Sequence, residues 1–105
     1  MSDNKLLFGC TGFDWDKHNS EKIWLKHRVL LSESEQIFFN LPLVLADSEK
    51  HSEKSNRYYV LGHTDADRKL FVVFTVRATK IRVVSARDMS RKERKEYKSH
   101  EKENT

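Results

Sequence analysis

Three arginines lie where short strands are predicted to begin, continue or end, and arginine is the side chain best suited to bind phosphate. Arg82 lies in a predicted strand over residues 80–85, where alternation places it opposite its apolar neighbours. Arg77 ends the preceding apolar strand and Arg57 begins the strand before that. A guanidinium stays protonated, and its fork binds two phosphate oxygens. We predict that Arg82 binds phosphate with support from Arg77 and Arg57; the alternative is three ordinary arginines on an exposed sheet face.

A histidine at the predicted end of the first helix is the candidate for proton transfer. His27 follows Lys26, and a histidine side chain titrates near neutral pH, as a general acid or base requires. The alternative is that His27 caps the free carbonyls at the helix end. His51 and Glu53 form a second possible pair in a polar loop, where solvated side chains are the alternative.

Metal and nucleotide chemistry finds little support in the sequence. The single cysteine, Cys10, excludes an intramolecular disulfide and a multi-cysteine zinc site. The five histidines show no helical pair flanking a glutamate. The three glycines form no phosphate-binding loop, and no Gly-x-Ser-x-Gly nucleophile motif is present. We therefore expect no metal and no cofactor.

The elements that must position these residues begin with a strand and two helices. The first strand is predicted to end at residues 13–16, and the first helix runs from Asp16 or Ser20 to about His27. Ser32 and Glu35 have the spacing of a capping box, which predicts a short second helix that ends before a proline. We expect the tryptophans of this half, at positions 15 and 24, to lie in the core.

In the second half of the chain, the pattern of apolar residues becomes typical of β-strands. Residues 58–61, 70–76 and 80–85 are predicted as an antiparallel meander, because the connections between them are short. A final helix begins at a capping box of Ser90 and Glu93, with Tyr97 as its apolar anchor. The prediction is one α+β domain over residues 1–98 and a disordered tail over residues 99–105.

The positive charge is concentrated in one third of the chain. The net charge is +4, but residues 68–98 hold 11 Lys/Arg against 3 Asp/Glu. This excess indicates a polyanionic partner such as nucleic acid or an acidic protein, with a solvated charged surface as the alternative. No apolar run approaches the ~20 residues of a membrane-spanning helix, and the first five residues lack the apolar core of a signal peptide. We expect a cytoplasmic protein that does not contact membranes.

An ordered series of short motifs runs through most of the chain. The series is Phe13, Trp15-Asp16, Lys26-His27, Val29, His51-Ser52-Glu53, Arg57-Tyr58, Leu61-Gly62, Arg77, Ile81-Arg82-Val83-Val84-Ser85-Ala86-Arg87 and Arg91-Lys92-Glu93-Arg94. The last two motifs are the most specific. The series resembles the BrnT family of bacterial toxins over about residues 13–97.

The resemblance implies a fold similar to that of RelE-type toxins and a metal-independent endoribonuclease of a type II toxin–antitoxin module. Such a toxin cleaves mRNA and inhibits translation. It is neutralised by a BrnA-type antitoxin with a ribbon-helix-helix part, through which alone the complex contacts operator DNA. With the reasoning above, the resemblance makes His27, Arg57, Arg77 and Arg82 the expected catalytic residues. The expected RNA contacts are Lys26, Tyr58, Lys80, Arg87 and Arg91, and the final helix either binds RNA or is covered by the antitoxin.

Two positions depart from the pattern of the family. Asn19 stands where the family often has lysine, and Ile23 stands where it often has asparagine before the Lys-His pair. If either position contacts RNA, activity is altered. The alternative function is therefore a non-catalytic module, an inactive toxin homologue that still binds nucleic acid or its antitoxin. A structural subunit without RNA contact is a third interpretation.

Overall fold

The computed structural model of the chain describes residues 10–45 and 57–103. Three helices and a mixed sheet form an α+β fold, as the sequence predicts. In chain order the elements are β1 (Gly12–Phe13), α1 (Lys17–His27), α2 (Leu31–Gln36), a 3₁₀ turn (Ile37–Phe39), β2 (Val44–Leu45), β3 (Tyr58–His63), β4 (Lys69–Arg77), β5 (Lys80–Asp88) and α3 (Arg91–Glu103).

The sheet contains the predicted meander and two short strands that extend it. Its order is β1-β5-β4-β3-β2, and β3, β4 and β5 are antiparallel neighbours. The connection from β4 to β5 is a tight turn at residues 78 and 79, where Ala78 adopts a left-handed conformation. The sequence predicted neither β2 nor the parallel pairing of β1 with β5.

A β-bulge interrupts the pairing of β4 with β5. Val73 pairs with Ser85, whereas the next residue, Phe74, pairs with Val83. Val84 is therefore the extra residue, and Val84 and Ser85 both lie on the face opposite Val83. The strict alternation predicted for this strand holds up to Val84 and fails at Ser85, which alternation would place on the face of Val83.

The two faces of the sheet are covered by different elements. One face carries a fully buried cluster that packs against residues of α1 and the 3₁₀ turn: Leu70, Val72, Phe74, Val83 and Ala86 against Ile23 and Ile37. On the other face, Tyr97 of α3 packs with Val44, Leu61 and Met89. Because α3 covers only part of this second face, the part that carries Thr75, Arg77 and Arg82 is left open.

The first helix begins and ends as predicted, but the second begins earlier. The Asp16 side chain accepts a hydrogen bond from the backbone amide of His18 and caps α1. In α2 the Glu33 carboxylate accepts from the backbone amide of Leu30, so the capping pair lies two residues before the predicted Ser32–Glu35 pair. Glu35 instead accepts a hydrogen bond from the indole of Trp15.

The expectation for one of the two tryptophans is wrong. Trp15 packs against the core cluster, but Trp24 is 40% exposed. Ile23 fills the position of α1 that faces the core, and Trp24, the next residue, lies about 100° further round the helix. The indole of Trp24 instead lies under the guanidinium of Arg28, 5.2 Å away.

The final helix extends into the region predicted to be a disordered tail. Ser90 and Glu93 form the predicted capping box, and Tyr97 is fully buried, as expected. However, α3 continues to Glu103 rather than ending before Ser99. The last turns are held by an ion pair of 3.1 Å between Glu101 and Lys69 on β4.

Across residues 10–45 and 57–103, every helix is too short or too polar to span a lipid bilayer.

Candidate active site

A cleft of about 660 Å³ lies between α1 and the open part of the sheet. Five of the side chains that line it are cationic, one is a histidine and none is acidic. The lining residues are Asn19, Lys22, Ile23, Lys26, His27, Arg57, Thr75, Arg77, Arg82, Val84 and Ser85. The cleft therefore has the charge to bind a polyanion, and one imidazole, a side chain that commonly serves as a general acid or base.

The helical repeat of α1 supplies one wall of the cleft. Asn19, Lys22 and Lys26 recur at intervals of three and four residues, so they lie on one face of the helix. His27, the last residue of α1, completes that wall. The structure describes no hydrogen bond from the His27 ring to the carbonyls of α1, so nothing in it supports the alternative role as a C-cap.

The hairpin of β4 and β5 supplies the floor. Thr75 and Arg77 point to the open face of β4, and Arg82 pairs directly with Thr75 across the two strands. Arg57 precedes Tyr58, whose partner on β4 is Phe74, the neighbour of Thr75. The predicted convergence of the three arginines is observed, since all three line the cleft.

Arg82 is held in place by two carboxylates on the segment between β1 and α1. Because Phe13 pairs with Ile81, the next residue, Asp14, lies beside Arg82, and the Asp14 carboxylate is 3.3 Å from Nη2. Asp16 is 3.8 Å from Nη1. The Nε atom of Arg82 is buried, with no hydrogen-bond partner in the described residues. The two carboxylates fix the direction of the Arg82 guanidinium, whose side chain is 23% exposed and lines the cleft.

An arginine outside the cleft fixes the wall to the floor. Arg68 makes two hydrogen bonds to Asp88 at the end of β5, of 2.7 and 3.1 Å, and also donates to Glu33 on α2. Its Nη1 donates to the carbonyl of Arg28, just after α1. The Asp88 hydrogen bonds raise the pKa of Arg68, and the same bonds lower the pKa of Asp88. The end of α1 is thereby tied to the sheet.

Comparison with known proteins shows the family to which the chain belongs. The profile of the family described as "Ribonuclease toxin, BrnT, of type II toxin-antitoxin system" matches residues 15–93. The chain belongs to the BrnT family. Its fold is similar to the crystal structure of the Brucella abortus ribonuclease toxin BrnT, with a TM-score of 0.59 and 17% identity, covering 77% of this chain and 99% of that chain. None of the curated proteins searched matches the sequence.

The other residues expected to bind RNA do not line the cleft of this BrnT-family protein. Tyr58 is partly buried, with its ring 5.6 Å from that of Phe74 on the core side of the sheet. Arg87 forms a double hydrogen bond with Glu93 and lies 4.1 Å from the ring of Phe71. The bulge separates Arg87 from Arg82 along the strand. Lys80 and Arg91 are exposed at the starts of β5 and α3, and His51 and Glu53 lie outside the described residues.

Sequence reasoning missed several of the residues that build the site. Lys22 is the lysine one turn before Lys26, and the helical repeat was the signal that could have revealed it. Ser85 faces the cleft only because of the bulge, for which the sequence carries no clear signal. Asp14 and Asp16 reach Arg82 through a strand pairing between residues 68 positions apart.

A second cluster of ionisable groups lies on α3 and the β3–β4 turn. Ligand atoms of His63, Asp67 and Glu101 lie within 4.8 Å of one another. The ammonium of Lys69 donates to both carboxylates, and these bonds outweigh burial and raise the pKa of Lys69. Nδ1 of His63 is bonded to the hydroxyl of Tyr97. Lys69 is the cation that pairs with the two carboxylates of this cluster, and its contact with Glu101 holds α3 on the sheet.

Proposed function

We propose that this protein is a metal-independent endoribonuclease that cleaves mRNA and thereby inhibits translation. The observation that carries the proposal is the cleft lined by five cations and His27. The family supplies the class of protein, a ribonuclease toxin. The charge of the cleft supports a polyanionic substrate, and its lining side chains include only one of a kind that commonly ligates metals.

The reaction requires a proton to leave the ribose 2′-hydroxyl as its oxygen attacks the adjacent phosphorus. The new O–P bond closes a 2′,3′-cyclic phosphate, the P–O5′ bond breaks, and the leaving 5′ oxygen takes up a proton. Arg82 stabilises the charge that develops on the phosphoryl oxygens, and Arg77 and Arg57 support it. His27 either accepts the proton of the 2′-hydroxyl or donates the proton taken up by the 5′ oxygen, and water takes part in the other transfer.

The remaining cleft residues bind the RNA around the reacting phosphate. Lys22 and Lys26 are one turn apart on α1 and face the same groove as the arginines. Lysines placed along a backbone bind successive phosphates without reading the bases. Val84 and Ser85 form part of the floor, where contact with a base would set the sequence preference.

The partner we propose is a BrnA-type antitoxin with a ribbon-helix-helix part. Membership of a type II toxin–antitoxin family supports an antitoxin in general. In this proposal the toxin contacts operator DNA only through the antitoxin, and both act in the cytoplasm. A reading frame for a short ribbon-helix-helix protein beside the gene would support this part.

A second candidate function is a toxin homologue that has lost activity. Asn19 and Ile23, the two positions that depart from the pattern of the family, both line the cleft. A protein of this kind would bind RNA or its antitoxin, with an affinity that falls as salt rises, and would produce no new RNA ends.

RNA-end mapping after brief, controlled induction of the protein tests the proposal. The wild type should produce new 5′-hydroxyl ends in transcripts and arrest growth. Arg82→Ala should reduce cleavage roughly 100- to 1000-fold, as expected when one donor to a developing anionic charge is removed, and should still bind antitoxin.

The matched control is another arginine of the same strand. Arg87→Ala should leave cleavage within a few-fold of wild type, because Arg87 is paired with Glu93 outside the cleft. Purified protein should cleave RNA in the presence of a metal chelator. No new ends from soluble, folded wild type would favour the inactive homologue, and equal losses in both variants would remove Arg82 from its assigned role.

A further inference from the structure

The outer surface of α1 and α2 exposes a contiguous group of large apolar side chains. Leu25 is 71% exposed, Leu30 50%, Trp24 40% and Leu31 38%. With Val29 they line a shallow groove of about 400 Å³; this surface is called the α1–α2 groove below. Single exposed leucines are ordinary, but a contiguous group of them marks a surface that binds another apolar surface.

Basic side chains border this groove. Lys22 and Lys26 flank Leu25 on α1, and the guanidinium of Arg28 lies over the ring of Trp24. Glu21 is the acidic residue at the border. The complementary partner is an apolar stripe with carboxylates along its edge, since matched charges set orientation and suppress wrong partners.

The groove adjoins the proposed active site. Lys22 and Lys26 border Leu25 on one side and line the catalytic cleft on the other. Carboxylates that pair with these two lysines would occupy cations that RNA needs. A partner seated in the α1–α2 groove therefore weakens RNA binding without entering the cleft itself.

The shape of the groove favours a helix over a strand as its occupant. It is formed by two helices and the turn between them, the geometry in which amphipathic helices dock. The edge strands of the described sheet, β1 and β2, are each two residues long. They offer little backbone for the addition of a strand.

We propose that the α1–α2 groove binds an acidic amphipathic helix of the antitoxin, with Leu25 at the centre of the contact and Lys22 and Lys26 paired to its carboxylates. This rests on the proposed function only in that the protein has a neutralising antitoxin.

Calorimetric titration with the purified antitoxin encoded beside this protein tests the proposal. Leu25→Glu should weaken binding roughly 30-fold or more, the loss typical of a residue central to an interface. Leu25→Lys should bind at least about 10-fold more tightly than Leu25→Glu, because lysine extends its charge toward acidic groups at the edge. The matched control is Leu41→Glu, since Leu41 is 70% exposed outside the groove; its affinity should stay within about three-fold of wild type.

Equal affinity of wild type and Leu25→Glu would overturn the proposal, as would tighter binding of Leu25→Glu than of Leu25→Lys. Two measurements on the free chain exclude other occupants. A dimer in light scattering that Leu25→Glu dissociates would assign the groove to a second copy. A lower thermal midpoint of free Leu25→Glu would assign it to another segment of this chain.

An RNA cleavage assay separates failure of this proposal from failure of the proposed function. Leu25→Asn, which places no carboxylate beside Lys22 and Lys26, should cleave RNA at the wild-type rate, and the antitoxin should inhibit it less than it inhibits the wild type. If the wild type does not cleave RNA at all, the proposed nuclease fails, whereas the binding comparison still decides the docking surface.

Discussion

At the scale of single residues, the geometry of Arg82 results from contacts both near and distant in sequence. Alternation along β5 predicts that Arg82 faces away from the core, and it does. Its pairing with Asp14 depends on the parallel contact between the two-residue strand β1 and β5. No local sequence pattern predicts such a contact. The candidate site was thus predictable in its arginines and in His27, but not in the carboxylates that orient Arg82.

Asn19 gives a direct test of the electrostatics of the cleft. Asn19→Lys adds a cation to the wall that carries Lys22 and Lys26, so we expect tighter binding of single-stranded RNA. The slope of log affinity against log salt should become steeper by about 0.7, the value for one added phosphate contact. Fluorescence anisotropy on a labelled RNA in the Arg82→Ala background measures this without cleavage.

The control for Asn19→Lys places the same charge elsewhere. Ser99→Lys on α3 gives an equal net charge outside the cleft and should change the salt slope by much less. If both variants steepen the slope equally, the gain reflects the overall charge of the protein rather than the cleft.

At the scale of elements, the positions of α1 and of the meander were predictable because capping residues and apolar runs are local signals. The outward position of Trp24 was not predictable, because the spacing of Ile23, Trp24 and His27 in the sequence fits a single helical face. The start of α2 also lies earlier than predicted, because a distant contact helps to decide which glutamate caps the helix. Glu33 satisfies the amide of Leu30 and also the guanidinium of Arg68, and the second contact lies 35 residues away in sequence.

Arg68 joins α1, α2 and β5, so its removal should destabilise the fold. We expect Arg68→Ala to lower the free energy of unfolding by about 1–3 kcal/mol at pH 7, because its hydrogen bonds to charged and backbone acceptors are lost. Urea unfolding followed by circular dichroism measures the difference. The free energy of unfolding of Arg68→Lys should lie between those of the wild type and Arg68→Ala, since lysine keeps the positive charge but lacks the guanidinium fork.

The stability that Arg68 contributes through Asp88 depends on pH. Arg68 lowers the pKa of Asp88 below the ordinary aspartate value of about 3.9. The stabilisation is therefore complete above about pH 5 and decreases as the pH falls through 3.9 toward the lower pKa of the folded state. The gap in stability between wild type and Arg68→Ala should narrow from pH 7 to pH 3, and a constant gap would contradict the assigned role of the Asp88 contact.

At the scale of the whole molecule, the excess of positive charge in residues 68–98 does not form one binding surface. Arg77 and Arg82 line the cleft, where Arg82 is also paired with Asp14 and Asp16, whereas Arg68, Lys69 and Arg87 are paired with carboxylates outside it. The cleft gains Lys22, Lys26 and Arg57 from outside that segment. Charge counting predicted a polyanionic partner, but only the folded arrangement separates cations that face the cleft from cations that hold the structure together.

Tyr97 connects the last helix to the first half of the chain. Its hydroxyl donates to the carbonyl of Pro42 at 2.6 Å and bonds Nδ1 of His63 at 2.7 Å, and burial raises its pKa. Tyr97→Phe should lower the free energy of unfolding by about 1–3 kcal/mol, since the buried Pro42 carbonyl and the partly buried His63 ring lose their partner. RNA cleavage at 25 °C should be unchanged, because Tyr97 lies outside the cleft.

Tyr58→Phe is the matched control for the loss of a hydroxyl. The described residues show no hydrogen bond from the Tyr58 hydroxyl, so this change should cost less than about 0.5 kcal/mol. Denaturant unfolding of both variants makes the comparison. Similar losses in the two would mean that the Tyr97 contacts to Pro42 and His63 add no net stability.

The bulge in β5 places two adjacent residues in the cleft, between two residues on which the packing of the core depends. Val84 and Ser85 both face the cleft, and their neighbours Val83 and Ala86 are fully buried in the core. Mutations at two adjacent codons can therefore reshape the floor of the site while the packing on either side is preserved. Under the proposed function, a toxin built in this way acquires new RNA preferences through small, neighbouring changes, at little cost to its ability to fold.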